Sequence, residues 1–158
     1  MDRPVLLLDV DGVLSLFGFP AASPPDGHFV SVDGIPHLLS SACAAHVLAL
    51  CGDFDLVWCT GWEEKADEHL PHVLGLPGGR PHLVFGPALG PARHWKLEAI
   101  DAFAGQCRPL AWVDDGLDAS CREWAARRAG PTLLVPTDPA VGITAADRDR
   151  LKAWASRL

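Results

Sequence analysis

Along this chain, short unbroken apolar runs alternate with stretches in which apolar residues recur at helical spacing. The first run, Val5-Leu6-Leu7-Leu8, predicts a strand buried on both faces, as in a parallel sheet, with Asp9 and Asp11 at its carboxyl end. Ser15 to Ile35 is rich in Gly, Pro and Ser. Within it His28-Phe29-Val30-Ser31-Val32 alternates and leads into Asp33-Gly34, which predicts a loop carrying a small hairpin or flap. Pro36 suits a first helical position, and Leu38, Leu39, Cys43, His46, Val47 and Leu50 follow at helical spacing until Gly52. Leu56-Val57-Trp58-Cys59 predicts a second strand ending at Thr60-Gly61. The next helix is expected from Trp62, with Glu63 and Glu64 in its first turn and Trp62, Ala66 and Leu70 on its apolar face; Pro71 should end or kink it.

Leu83-Val84-Phe85 reads as a third strand, and Gly86 to Pro91 leads to a helix whose Trp95, Ala99 and Phe103 share a face. Leu110-Ala111-Trp112-Val113 reads as a fourth, ending like the first in acids, Asp114, Asp115 and Asp118. A helix from Leu117 to Ala129 should stop at Gly130-Pro131, Leu133-Leu134-Val135 makes a fifth strand, and Thr144 with Asp147 caps a last helix carrying Leu151, Trp154 and Leu158. Strands alternating with helices throughout predict an α/β fold, a parallel sheet with helices on both faces. If the acids after strands one and four serve one site, those strands are neighbours.

Composition narrows this picture. The 158 residues fit a single domain spanning 1–158, and 49% hydrophobic with 21% charged residues is ordinary for a globular protein. A net charge of -7 argues against broad, sequence-independent affinity for nucleic acid or anionic membrane, though not against a local basic strip. Five cysteines without a C-x-x-C pair, mostly in apolar segments, suggest buried thiols in a reducing compartment. With no signal peptide and no apolar run near the roughly 20 residues of a membrane span, the expected location is the cytoplasm.

Asp11-Gly12 between apolar runs is also a hairpin signal, in which case the two acids would merely decorate a turn. The rest of the chain supplies partners that favour an active site. Asp9, Asp11 and Asp114 at strand ends cannot all ionise in a partly buried place without a counter-charge, and a hard divalent cation with few protein ligands, Mg²⁺ rather than Ca²⁺, supplies one. Thr60 and Gly61 offer a hydroxyl and backbone N–H groups at a helix N-terminus, an anion site. Lys96 offers a point charge. The set suits displacement at phosphorus, in which a carboxylate attacks and a second carboxylic acid protonates the leaving oxygen.

At these residues the chain resembles the haloacid dehalogenase-like superfamily. Asp9-Val10-Asp11-Gly12 is similar to its first motif, Val57-Trp58-Cys59-Thr60 to its second, Lys96 to its third, and Ala111 through Asp118 to its fourth, all in the right order. The resemblance implies a three-layer α/β/α sandwich with a Rossmann-like parallel sheet of strand order 5-4-1-2-3. It implies Asp9 as the nucleophile that becomes a phospho-aspartate, Asp11 as general acid and then base, Thr60 on the phosphoryl oxygens, and Lys96 on nucleophile and phosphate. Mg²⁺ would be held by Asp9, the Asp11 backbone carbonyl and Asp114. Whether Asp115 or Asp118 assists the metal stays open, as does whether Arg93 or His94 shares the role of Lys96. The strings Leu-Asp-Val-Asp-Gly-Val-Leu, Trp-Cys-Thr-Gly-Trp-Glu, Trp-Lys-Leu and Ala-Trp-Val-Asp-Asp are closer still to the small capless domains of the Swiss Army Knife RNA repair type.

The expected activity is therefore a Mg²⁺-dependent phosphomonoesterase, with a phosphotransferase or a non-catalytic binding module as alternatives. A two-component receiver domain uses similar groups but places the acid pair before the Thr and the Lys last, whereas here an acid pair follows Lys96. Trp62 and Trp95 could stack on a base, yet their spacing favours core packing. The intervals that usually carry a cap, Ser15 to Ile35 and Gly86 to Arg93, are well below the roughly 40 residues a small domain needs. The site should be open under a flap from His28 to Asp33, admitting either a polynucleotide end or a small phosphorylated metabolite, or borrowing a lid from a partner domain or a second subunit.

Overall fold

The computed structural model describes residues 2–87 and 93–158. In chain order the elements are β1 (Val5–Leu8), β2 (Ser15–Leu16), β3 (His28–Val32), β4 (Ile35–Leu39), α1 (Ser41–Leu48), β5 (Asp55–Trp58), α2 (Glu64–Leu74), α3 (Leu97–Ala104), β6 (Leu110–Asp114), α4 (Ala119–Arg127), β7 (Thr132–Pro136) and α5 (Ala145–Ala155). A four-stranded parallel sheet runs in the order β5-β1-β6-β7, so β1 lies between β5 and β6.

Alternation along the strands splits the core in two. Leu6 and Leu8 of β1, Leu56 and Trp58 of β5 and Ala111 and Val113 of β6 face Val47 of α1, Leu70 of α2 and Leu151 of α5. Val5, Leu7, Val57, Leu110 and Trp112 point the opposite way, onto Leu97 and Ile100 of α3 and Cys121 and Trp124 of α4. The continuous apolar runs thus mark strands buried on both faces, and the result is three layers. Register matters as much as pattern. Leu8 is level with Trp58 on one side and Val113 on the other, so Asp9, Cys59 and Asp114 emerge at one height.

Several expectations are corrected. No strand forms at Leu83-Val84-Phe85, the third in the expected order 5-4-1-2-3; a single parallel bridge joins Trp58 to His82, between Pro81, which has no N–H to give, and a Val84 left 67% exposed. The helix expected from Pro36 begins at Ser41, where the Ser40 hydroxyl accepts from the Cys43 N–H at 3.1 Å. Ile35 to Leu39 is instead the second arm of a hairpin, because Asp33 and Gly34 take φ of 51° and 78°, the paired positive angles of a tight two-residue turn. With β2 this arm completes a three-stranded antiparallel sheet, and the hairpin spans 28–39, longer than the expected 28–33. Helix α2 continues through Pro71 to Leu74, anchored by buried Ala66 and Leu70. In α3 the buried face is Leu97, Ile100 and Ala104; Trp95 lies in the preceding turn, and Phe103 faces outward.

Thr144 and Asp147 form a reciprocal capping box at α5, and Asp118 caps α4, which starts at Ala119 rather than Leu117. All five cysteines are free: Cys43, Cys59 and Cys121 are buried, Cys107 exposed. The approach expected from Gly86 to Pro91 falls mostly outside the described residues. Among those described, no helix is long and apolar enough to cross a membrane.

The loop before α5 closes on the turn after β1. The Ile143 N–H donates to the Val13 carbonyl at 3.1 Å, and Gly142, at φ 74°, lies so near that a Cβ there would sit 2.4 Å from the same oxygen. Gly142→Ala should therefore cost roughly 1–3 kcal/mol through backbone strain and overpacking, while Gly52→Ala, with open space around it, should change stability by less than about 0.5 kcal/mol. Urea denaturation of both variants checks this, and equal effects would contradict it.

Candidate active site

Three segments reach the carboxyl end of the sheet on the face that α3 and α4 cover. Asp9 continues the side of β1 that carries Val5 and Leu7, and Asp114 the side of β6 that carries Trp112. Lys96 arrives from the turn before α3. All three are almost wholly buried, at 7%, 2% and 2% exposed. The Lys96 ammonium donates to Asp114 Oδ2 at 2.6 Å and to the Cys59 carbonyl at 2.9 Å, and stands 3.2 Å from Asp9 Oδ2. Asp114 is fixed further by the Trp112 indole N–H at 3.2 Å and the Gly116 N–H at 2.8 Å, and Asp9 by the Val10 N–H at 2.8 Å. Thr60, 1% exposed, follows Cys59 directly, and its hydroxyl accepts from the Trp62 N–H at 3.2 Å.

Asp9, Asp114 and Asp115 each bring a carboxylate oxygen within 4.8 Å of the others. Asp115 reaches this place because residue 12 is glycine: a Cβ on Gly12, at φ 79°, would fall 2.3 Å from Asp115 Oδ2. Asp118 is occupied elsewhere, accepting from the Cys121 N–H and the Ser120 hydroxyl as the cap of α4. Arg93 pairs with Asp101, away from the cluster. His94 packs edge-on against Trp112 at 5.3 Å, and its Nδ1 accepts from the Lys96 backbone N–H at 3.2 Å.

Electrostatics set the character of this cluster. Burial pushes the Asp9 carboxyl up to about 7, the Asp114 charge adds to the rise, and Lys96 opposes it. Burial alone would lower Lys96, but the Asp9 and Asp114 charges outweigh it and raise it above the usual lysine value. One ammonium among three carboxylates leaves an excess that a divalent cation would balance, and an all-oxygen donor set is what a hard cation takes. The residues therefore fit such a metal.

Asp11 lies at the mouth, its side chain half exposed. Its Oδ2 accepts from the Trp62 indole N–H at 3.2 Å, and its Oδ1 is 3.6 Å from His37 Nδ1 of β4. Neither neighbour was expected here. Trp62 is half-buried as core packing requires, but its N–H faces the acid. Trp95, expected in the core, is 46% exposed, with Lys96 Nζ 5.1 Å from its ring centre. His37 was not expected at the site at all, and Trp112 only as a residue of the strand that ends in Asp114. The alternation that puts Trp112 and Asp114 on one side of a strand would have found Trp112, and carrying the Asp33-Gly34 hairpin through its second arm would have found His37.

The family model described as the HAD domain in Swiss Army Knife RNA repair proteins matches residues 5–148. No curated protein matches the chain.

The raised Asp9 carboxyl sets a pH dependence. Between its unfolded value near 3.8 and about 7 the native protein holds a proton that the unfolded chain has lost, so this contribution is full below about pH 4 and disappears as pH rises through 7. In chelator, the urea midpoint should be lower at pH 8 than at pH 5, and the drop should shrink in Asp9→Asn. An undiminished drop in that variant would place its origin elsewhere.

Proposed function

The chain belongs to the HAD domain family of Swiss Army Knife RNA repair proteins, which implies hydrolase chemistry of the phosphatase kind on a phosphorylated substrate, and from that premise we propose that it is a Mg²⁺-dependent phosphomonoesterase working through a phospho-aspartate. The observation that carries this reading is the buried Asp9–Lys96–Asp114 cluster, with Asp115 beside it and Asp11 at its open side. Asp9, Asp114, Asp115 and the Asp11 backbone carbonyl would hold the metal. Bound there, it would neutralise charge on nucleophile and phosphoryl group.

Asp9 Oδ attacks phosphorus, forming a new P–O bond as the bond to the leaving oxygen breaks, and Asp11 gives that oxygen its proton. Lys96 pulls Asp9 toward its ionised form against the burial that opposes it, and steadies the equatorial oxygens, and Thr60 with the Gly61 N–H takes others. Asp11 then removes a proton from the water that attacks phosphorus and frees Asp9. A phosphotransferase would share these residues and differ only in the acceptor.

For substrate we favour a terminal phosphate on a nucleic acid over a small phosphorylated metabolite. The family description supports this, as does the exposed Trp95 ring beside Lys96, whose Cη2 lies 3.9 Å from where a Gly61 Cβ would stand. Stacking on such a ring is worth roughly 1–3 kcal/mol per base. The net charge of -7 favours the metabolite instead.

Two measurements test the proposal. Asp9→Asn should keep the fold and lose turnover of an aryl phosphate, and wild type should need Mg²⁺ and be inhibited by Ca²⁺, whose looser shell can hold the nucleophile bidentate. Activity undiminished in the variant or in chelator would overturn the mechanism. At fixed salt, kcat/KM should be higher for a 3′- or 5′-phosphorylated oligonucleotide than for a mononucleotide or a sugar phosphate. If the sugar phosphate wins by more than about tenfold, some 1.4 kcal/mol of transition-state binding, the nucleic-acid reading fails.

A further inference from the structure

A half-exposed carboxyl sweeps several rotamers, yet a general acid has to hold its proton within about 2.6–3.2 Å of the leaving oxygen. Asp11 is such a carboxyl, and two groups from other parts of the chain meet it. The Trp62 indole, which only donates, bonds Oδ2 at 3.2 Å; in the neutral acid the carbonyl oxygen is the better acceptor, so this bond favours Oδ2 as the carbonyl and Oδ1 as the hydroxyl. Trp62 is itself pinned, by its backbone N–H on the Thr60 hydroxyl and by the His37 ring, 4.7 Å from its own and tilted by 55°. His37 Nδ1 lies 3.1 Å from the Ser15 hydroxyl, and at 3.6 Å from Asp11 Oδ1 it is too far to compete for that oxygen. The hairpin that brings His37 is held at its turn by the Asp33–Lys65 ion pair.

We propose that Trp62 is a positioning residue for Asp11, selecting the rotamer and the oxygen that carries the proton, and that His37 of the hairpin holds the indole in place. This rests on Asp11 being the general acid of the proposed phosphatase. In that step the electron pair of the breaking P–O bond stays on the leaving oxygen, which takes the Oδ1 proton. A flap residue thereby acts on the chemistry without touching the substrate.

Trp62→Phe keeps an aromatic ring and removes the N–H. Its rates on an alkyl phosphate, whose leaving group needs the proton, and on a nitrophenyl phosphate, whose leaving group scarcely does, give a ratio independent of how much protein folds. In kcat/KM, which reports the first step and not the later base role of Asp11, the alkyl ester should lose about tenfold and the nitrophenyl ester less than about twofold. His37→Ala should shift the ratio the same way, and adding Trp62→Phe to Asp11→Asn should cost the alkyl ester nothing more. Equal losses on both esters, no loss, or additive losses in the double variant would overturn the inference while leaving the phosphatase reading intact. If Asp11→Asn itself fails to discriminate between the esters, the general-acid assignment falls and the inference with it.

Discussion

The Lys96 ammonium, held between two buried carboxylates, is the interaction on which the rest of this molecule turns. Asp9 and Asp114 stand side by side at the ends of adjacent parallel strands, in a place dry enough to raise the Asp9 carboxyl to about 7. Without a cation between them the two could not both be charged. Removing one partner of such a set typically costs 3–5 kcal/mol, because the charges left behind stay buried and unpaired. Replacing the whole set by apolar residues would often cost nothing, so stability alone gives no reason to keep it. In the proposed reaction its use is chemical: a carboxylate kept poor in water and aimed by donors is a ready nucleophile.

Sheet geometry puts those groups together. The strand period of two selects a face, and the parallel register selects a height; Asp9, Cys59 and Asp114 meet because both agree. Lys96 closes the group from the turn before α3, and its bond to the Cys59 carbonyl links it to the strand end that presents Thr60. Outside this dry cluster the site becomes wetter, through Asp115 to the half-exposed Asp11. That gradient separates the surroundings of two acids only two residues apart, one buried against an ammonium and the other at the mouth, bonded to an indole.

Much of this was legible in the residues. The apolar runs at Val5, Leu56 and Leu110 announced strands buried on both faces, and acids after two of them marked the place where ligands meet such sheets. What failed, failed for identifiable reasons. Leu83-Val84-Phe85 has strand composition, but after the bridge at His82 the Phe85 N–H turns to the Glu63 carboxylate instead of a neighbouring strand. Pro36 has the local propensity of a helix start, but the Asp33-Gly34 turn just before it carries it into a strand paired with Ser31. Trp95 matched a helical stripe, yet the helix begins after it. The bond from Trp62 to Asp11 depends on where an indole points, which spacing alone does not fix.

The central claim is that Asp9 carries the phosphoryl group. Enzyme turning over an aryl phosphate with Mg²⁺ would be quenched in acid and treated with borohydride, which reduces an aspartyl phosphate to homoserine, and then digested for mass spectrometry. The account expects homoserine at residue 9, only when substrate is present and at no other aspartate. Turnover without that conversion, or conversion at another aspartate, would contradict it.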